Sequence, residues 1–294
     1  MGTLNNFSPL RYPGGKAAIA DVFISMLDAN GISRNGVYCE PFAGGAGVAL
    51  TLLMKQRINR IIINDIDPCV AAFWMAILDD TARFLDLLAD VKVTMDEWFT
   101  CRHIYKSATR KMLKTRDSRL KLGFATFFLN RTNRSGILPN AGPIGGWNQQ
   151  GRYKIDARFK KNVLAERITA IQSRRDSIVF TSYDAMKFLD RLPKLTEGVE
   201  SVFLYLDPPY YQKGSELYLN CYNHSDHELL AKRMTSFSFC PWVMTYDDCP
   251  EVRNLYGNRQ DFQLGKLELA YSVQQARRSA EILIAQPSTK GAFL

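Results

Sequence analysis

The first third of the chain sets short apolar runs between turn residues. Residues 37–39 form one such run, which leads straight into Glu40-Pro41-Phe42-Ala43-Gly44-Gly45-Ala46-Gly47. Residues 48–56 read as a helix. Arg60-Ile61-Ile62-Ile63-Asn64 then shows no polar alternation, the pattern of a strand buried on both faces. Asp65-Ile66-Asp67-Pro68 follows, so acids stand where the carboxyl end of that strand falls. Strand, glycine turn, helix, strand and acid is the opening unit of a doubly wound, mostly parallel α/β sheet.

The pattern changes near Ala71. From there to about Phe128, apolar positions such as Phe84, Leu87, Leu88 and Val91 recur at three- and four-residue spacing, which predicts helices. Residues 136–151 are rich in Gly, Pro and Asn and predict a loop or hairpin over about 136–155. Residues 153–175 read as helix again. The α/β pattern resumes with strands over 177–181 and 201–206, then a helix over 225–237 opened by a Ser225/Glu228 capping box. Two more strands fall at 242–245 and 281–285. The expected organisation is a core built from 1–72 and 176–294, with 73–175 inserted as a mainly helical domain.

Charge makes that insert conspicuous. The chain has 294 residues and a net charge of +9. Residues 100–175 carry 18 Lys+Arg against 3 Asp+Glu, a net of +15, which leaves −6 for the rest. A basic segment on a mildly acidic body points to a polyanion, with nucleic acid ahead of a solvated basic surface. No apolar run approaches the ~20 residues of a membrane span. Residues 1–16 lack the apolar stretch of a secretory signal. Six cysteines without a C-x-x-C pair and three histidines disfavour a disulfide framework or a metal site. A cytoplasmic protein is expected.

Three segments carry candidate chemistry. Asp207-Pro208-Pro209-Tyr210 lies just past an apolar strand, at the edge where open α/β sheets bind ligands. Its prolines remove two backbone donors and fix a rigid turn of acceptors, and Tyr210 offers a flat face. Such a turn suits a planar group bearing an exocyclic amine, as a nucleobase does. The 40–47 loop lets a ligand approach its backbone, but Glu40 and Asp65 flank it with acid. That setting suits a ribose diol and a cationic ligand rather than phosphate. Arg11-Tyr12-Pro13-Gly14-Gly15-Lys16 looks like a phosphate loop, yet it lacks the hydroxyl residue after Lys16 and the upstream glycine.

In chain order, 11–16, then 40–47, then the insert, then 207–210, these segments resemble the Dam-like DNA adenine-N6 methyltransferases. The resemblance extends to 127–136 in the insert and to Thr245-Tyr246-Asp247-Asp248 and 271–284 near the end. It implies a Rossmann-like methyltransferase core and S-adenosylmethionine as cofactor. Asp65 would hold the cofactor ribose, and Asp184 would meet its adenine or merely cap a helix. Glu40, Pro41, Phe42, Gly44 and Gly45 would cradle the methionine end, enclosed by Tyr12 and Lys16. Asp207 and the Pro208 carbonyl would accept the two hydrogens of a flipped-out adenine amine, with Pro209 shaping the turn and Tyr210 stacking on the base. No metal is required. His227 would be a helix residue, and Asp247 and Asp248 would shape the pocket.

The insert would read double-stranded DNA. Lys111, Lys114, Arg116, Arg152 and Lys154 would serve as contacts, and Arg131, Asn133 and Arg134 as candidates for base edges. Arg277 and Arg278 would add backbone contacts. The family setting implies a bacterial or phage-encoded protein associated with the nucleoid. The alternatives are another nucleobase amine, RNA, or a DNA-binding module without catalysis.

Overall fold

The computed structural model describes residues 7–11, 19–212, 222–257, 260–267 and 281–293. Tyr12, Lys16, Arg277 and Arg278 lie outside them, as do 271–280 of the resemblance. Seven strands form one sheet: β1 (Val37–Glu40), β2 (Arg60–Asn64), β3 (Ile178–Thr181), β4 (Val202–Leu206), β5 (Trp242–Asp247), β6 (Gln263–Leu267) and β7 (Glu281–Ala285). Their order is β3-β2-β1-β4-β5-β7-β6. All pairings from β3 to β5 are parallel, and β7 runs antiparallel to both β5 and β6.

The runs without polar alternation are explained by layers on both faces. Tyr38, Ile61, Ile63, Phe203, Tyr205 and Val243 point into one hydrophobic cluster. Their neighbours Cys39, Ile62, Leu204 and Met244 point into the other. This is the period of two along each strand, with both faces covered. Helices α1 (Ala20–Ala29), α2 (Gly47–Met54) and α3 (Pro68–Asp79) contribute to the first cluster. Helices α8 (Ala185–Leu195), α9 (His224–Thr235) and α10 (Pro250–Tyr256) contribute to the second.

The insert consists of α4 (Thr81–Asp90), α5 (Met95–Lys106), α6 (Arg116–Thr132) and α7 (Lys161–Gln172). It does not keep its own core. Phe84, Phe124 and Phe127 of α4 and α6 lie in the same cluster as Ile61 and Ile63 of the sheet, joined through Phe73 and Trp74 of α3. Phe73 stacks on Phe127 at 6.0 Å between centroids. Gly123 is required at this junction, because a Cβ there would lie 2.5 Å from the Ala72 carbonyl oxygen.

Three local expectations change. The capping box of α9 is Asn223 with Asp226, not Ser225 with Glu228, and the helix starts one residue earlier. The 136–155 segment contains turns and a single bridge between Asn133 and Pro143 instead of a paired hairpin. Its glycines at 136, 145 and 146 take positive φ, which breaks a ladder. The helix expected over 153–175 is confined to α7, preceded by a short 3-10 turn at Ile155–Arg158. Elements α1, α10 and β6 had no counterpart in the apolar pattern.

Candidate active site

Strand order reverses between β1 and β4, because β1 leads outward through β2 to β3 and β4 leads outward through β5. A crevice opens at the carboxyl ends of strands on either side of such a point. Glu40 ends β1, and Asp207-Pro208-Pro209-Tyr210 follows β4, so parallel pairing delivers both to the crevice. Asp207 is held by a short relay. The Thr245 hydroxyl donates to Asp207 Oδ1 at 2.7 Å and lies 2.8 Å from the Tyr205 hydroxyl. With Thr245 donating to the carboxylate, Tyr205 donates to Thr245.

The rest of the turn is equally fixed. Pro208 and Pro209 are buried. The Tyr210 hydroxyl donates to Oε1 of buried Glu281 at 2.6 Å. Asp247 accepts the backbone N–H of Tyr211 at 2.8 Å and of Gln212 at 3.0 Å, so it clamps the turn from β5. Asp248 instead takes a two-pronged bond from Arg253 at 2.6 and 2.8 Å. His227 is buried in the first turn of α9, with Nδ1 2.7 Å from the Tyr246 hydroxyl. Burial lowers its pKa to about 4.

The glycine loop meets the same crevice. Gly44 and Ala46 have positive φ, so the loop turns sharply into α2. Asp65 Oδ2 accepts the Gly44 N–H at 2.9 Å, and its Oδ1 accepts the Asp67 N–H at 2.9 Å. The Trp74 indole donates to the Gly44 carbonyl at 2.8 Å, and the Ser8 hydroxyl to that of Gly45 at 2.6 Å. Phe42 is half-buried and packs edge-on to Tyr222 at 5.8 Å. Burial, joined by the nearby Asp67 charge, raises the Asp65 pKa to about 7. Burial raises that of Glu40 to about 8, and its Oε1 accepts the Ala49 N–H at 3.1 Å. Asp184 is exposed and caps α8 by accepting the Met186 N–H at 2.9 Å.

Two residues that sequence reading passed over organise the site. One is Thr245, quoted only as part of a motif. The other is fully buried Asn64, whose Nδ2 donates to the Pro41 carbonyl at 2.9 Å and the Tyr183 carbonyl at 3.0 Å. Its Oδ1 accepts from the Thr181 hydroxyl and the Tyr183 N–H, both at 2.8 Å. A polar residue ending an apolar strand was the available signal. Among the described residues no group of His, Cys, Asp and Glu could hold a metal ion.

The sequence matches the D12 class N6 adenine-specific DNA methyltransferase family over residues 12–273. The chain belongs to that family. Its activity is therefore adenine-N6 methylation of DNA. It is 26% identical over 212 residues to the Type II methyltransferase M.MjaIII of Methanocaldococcus jannaschii, covering 68% of each chain. Among solved structures it is similar to the rRNA methyltransferase aviRa of Streptomyces viridochromogenes, with a TM-score of 0.42, 14% identity, and 94% of this chain and 86% of that one covered. A class I S-adenosylmethionine-dependent methyltransferase from Listeria monocytogenes gives a TM-score of 0.40 and 10% identity, with 93% and 59% covered.

For a family that acts on DNA, the disposition of the basic insert matters. Many of its arginines fasten the fold. Arg116 donates to Oδ1 of buried Asp80 at 2.8 Å. Arg131 grips the Arg158 carbonyl at 2.9 and 2.6 Å, and burial lowers its pKa to about 9. Arg110 spans the Ile66 carbonyl at 3.0 Å and the Ser182 carbonyl at 2.7 Å, bridging the ends of β2 and β3. Asn133 is fully buried: its Oδ1 accepts from the Trp98 indole at 2.7 Å and its Nδ2 donates to the Ile137 carbonyl at 2.8 Å. Its side chain is thus committed within the fold. Lys111, Lys114, Arg134, Arg152 and Lys154 are exposed, Lys154 reaching the Gln149 carbonyl at 2.6 Å.

Proposed function

We propose that the chain moves a methyl group from S-adenosylmethionine to the N6 amine of an adenine extruded from duplex DNA, with Asp207 and Pro208 as the acceptors of the amine. The observation that carries this reading is the Tyr205–Thr245–Asp207 relay beside Glu40 at the strand-order reversal. The adenine amine is a weak nucleophile because its lone pair is delocalised into the ring. A carboxylate fixed by Thr245 and a carbonyl fixed by proline geometry each accept one N–H, which turns the lone pair out of the ring plane. Tyr210, held through its hydroxyl, presents its ring to the base.

The donor set fits the cofactor. Asp65 is a half-buried carboxylate held by the Gly44 and Asp67 backbone N–H groups, suited to a ribose diol. Glu40 supplies acid near the reacting end. When bound, S-adenosylmethionine supplies an electrophilic methyl on a cationic sulfur. Asp65 orients the ribose, the Gly44–Gly45 turn permits close approach, and Asp184 stands at the edge of the adenine end while capping α8. Pro41 and Phe42 wall the pocket, and the family resemblance assigns Tyr12 and Lys16, outside the described residues, to the same cofactor. The insert faces DNA, with Lys111, Lys114, Arg152 and Lys154 on phosphates and Arg134 nearest the bases. Arg116, Arg131 and Asn133 support the fold that presents them. Residues 73–175 act as the target-recognition unit.

The test is transfer of labelled methyl from S-adenosylmethionine to unmethylated genomic DNA, followed by nucleoside analysis and sequencing. N6-methyladenine in one sequence context is expected. Label on cytosine, or on RNA but not DNA, would overturn the reading.

A further inference from the structure

The insert exposes aromatic surface that the reaction does not use. Trp147 is 54% exposed and Phe99 53% exposed, and their rings stack at 6.3 Å with 22° between planes. Contiguous apolar surface left in water marks an interaction site, whereas singly scattered exposed residues do not. These two are also fixed. Trp147 packs edge-on at 5.3 Å to Trp98, which is fully buried and pinned by Asn133.

The loop carrying Trp147 is braced from within. The Gln149 side-chain amide donates to the Ile144 and Gly146 carbonyls, both at 2.8 Å, and its carbonyl accepts the Ile155 N–H at 2.9 Å. Gly145 and Gly146 take φ of +88° and +77°, values that let the loop present the indole outward. Cations rim the pair. Arg102 lies over Trp98 at 4.9 Å and donates to the Ala141 carbonyl at 3.2 Å. Arg134 and Trp147 both border Gly142, where a Cβ would sit 3.7 Å from each.

We infer that Phe99 and Trp147 form a preorganised platform on which the insert stacks an unpaired base of the bound DNA. The inference rests on the DNA-methylating reading. Two features favour a base over a protein surface: the strong positive charge of residues 100–175, and guanidinium groups beside an open π face. The target adenine already has Tyr210 as its ring partner in the proposed reaction, so the platform is assigned to a different base. A base left without its partner or neighbour when the target is extruded has the required chemistry.

Trp147 reports on itself, because Trp74, Trp98 and Trp242 are fully buried. Oligothymidylate and sheared unmethylated genomic duplex should both quench the exposed component of the emission, and Trp147→Ala should abolish that change. Trp147→Ala should weaken DNA binding roughly tenfold, the scale of one base–aromatic stack. The slope of log affinity against log salt should not change, because no phosphate contact is lost. Trp147→Phe should recover most of the affinity. Unaltered binding by the Phe99→Ala/Trp147→Ala double variant, with methylation intact, would overturn the platform and leave the reaction standing. Absence of both DNA binding and methylation in the unmodified protein would overturn the underlying reading and the platform with it. Emission that follows protein concentration without DNA would overturn the platform in favour of self-association.

Discussion

At the residue scale, carboxylates in this crevice are tuned by burial. The Glu40 pKa rises to about 8 and that of Asp65 to about 7. A folded value above the unfolded one favours the protonated form, so the associated stability is complete below the unfolded value near 4. It is lost as pH rises through 7 to 8. Thermal melts of the ligand-free protein should therefore show a decline from about pH 5 to about pH 8 that levels off above it and that Glu40→Gln reduces. A cationic ligand favours the ionised carboxylates. Binding of S-adenosylmethionine near pH 7 should release protons, seen by calorimetry in buffers of different ionisation enthalpy. Asp207→Ala should lower methyl transfer about a hundredfold or more, the scale of one fixed polar group at a reacting centre, with DNA binding retained. Thr245 acts as a positioning residue. Thr245→Val should lower kcat while leaving KM for DNA and cofactor, and Thr245→Ser should restore it.

At the element scale, loops are held by single side chains. Asn64 joins the end of β2 to the 40–47 loop and to the loop before α8. Asn64→Ala strands buried carbonyls, each worth about 1–3 kcal/mol when left unmade. It should lower both the unfolding midpoint and cofactor affinity. In the insert, similar arginines and lysines do different work. Arg116→Ala removes a partner of buried Asp80 and should lower the melting temperature without altering the salt dependence of DNA binding. Replacing Lys111 and Lys114 by Ala should leave the melt unchanged and reduce the salt slope by roughly 2, about 0.9 per phosphate contact. No difference between these variants in salt slope would remove the division between fastening and binding cations.

At the scale of the whole molecule, the insert and the sheet share one hydrophobic cluster through α3 and α6. Phe127 packs on Phe73 at 6.0 Å and on Phe84 at 5.4 Å, so it belongs to both parts. Phe127→Ala should cost about 3–5 kcal/mol. Because the layers are continuous, calorimetry should record one unfolding transition, not an early melt of residues 73–175. Among the described residues no helix is long and apolar enough to cross a membrane.

The sequence by itself determined the layers and the chemistry at their edges. A short β-branched run such as Ile61-Ile62-Ile63, bounded by turn residues, reads as a central strand, and the acids and prolines that follow such runs then stand at strand ends. Local physics was sufficient there, because burial on both faces leaves its mark on adjacent residues. Only the tertiary structure decided what each polar group faces. Asn64, Thr245 and Glu281 come from different strands, and their partners are fixed by strand order rather than by spacing. Arg116 and Arg131 look like DNA contacts when charge alone is read. The fold places Asp80 and the Arg158 carbonyl beside them, and short-range hydrogen bonding then claims their guanidinium groups. Exposure at Phe99 and Trp147 was equally invisible in the pattern, since an apolar side chain on a helix or a glycine-rich turn reads as core until its neighbours are known.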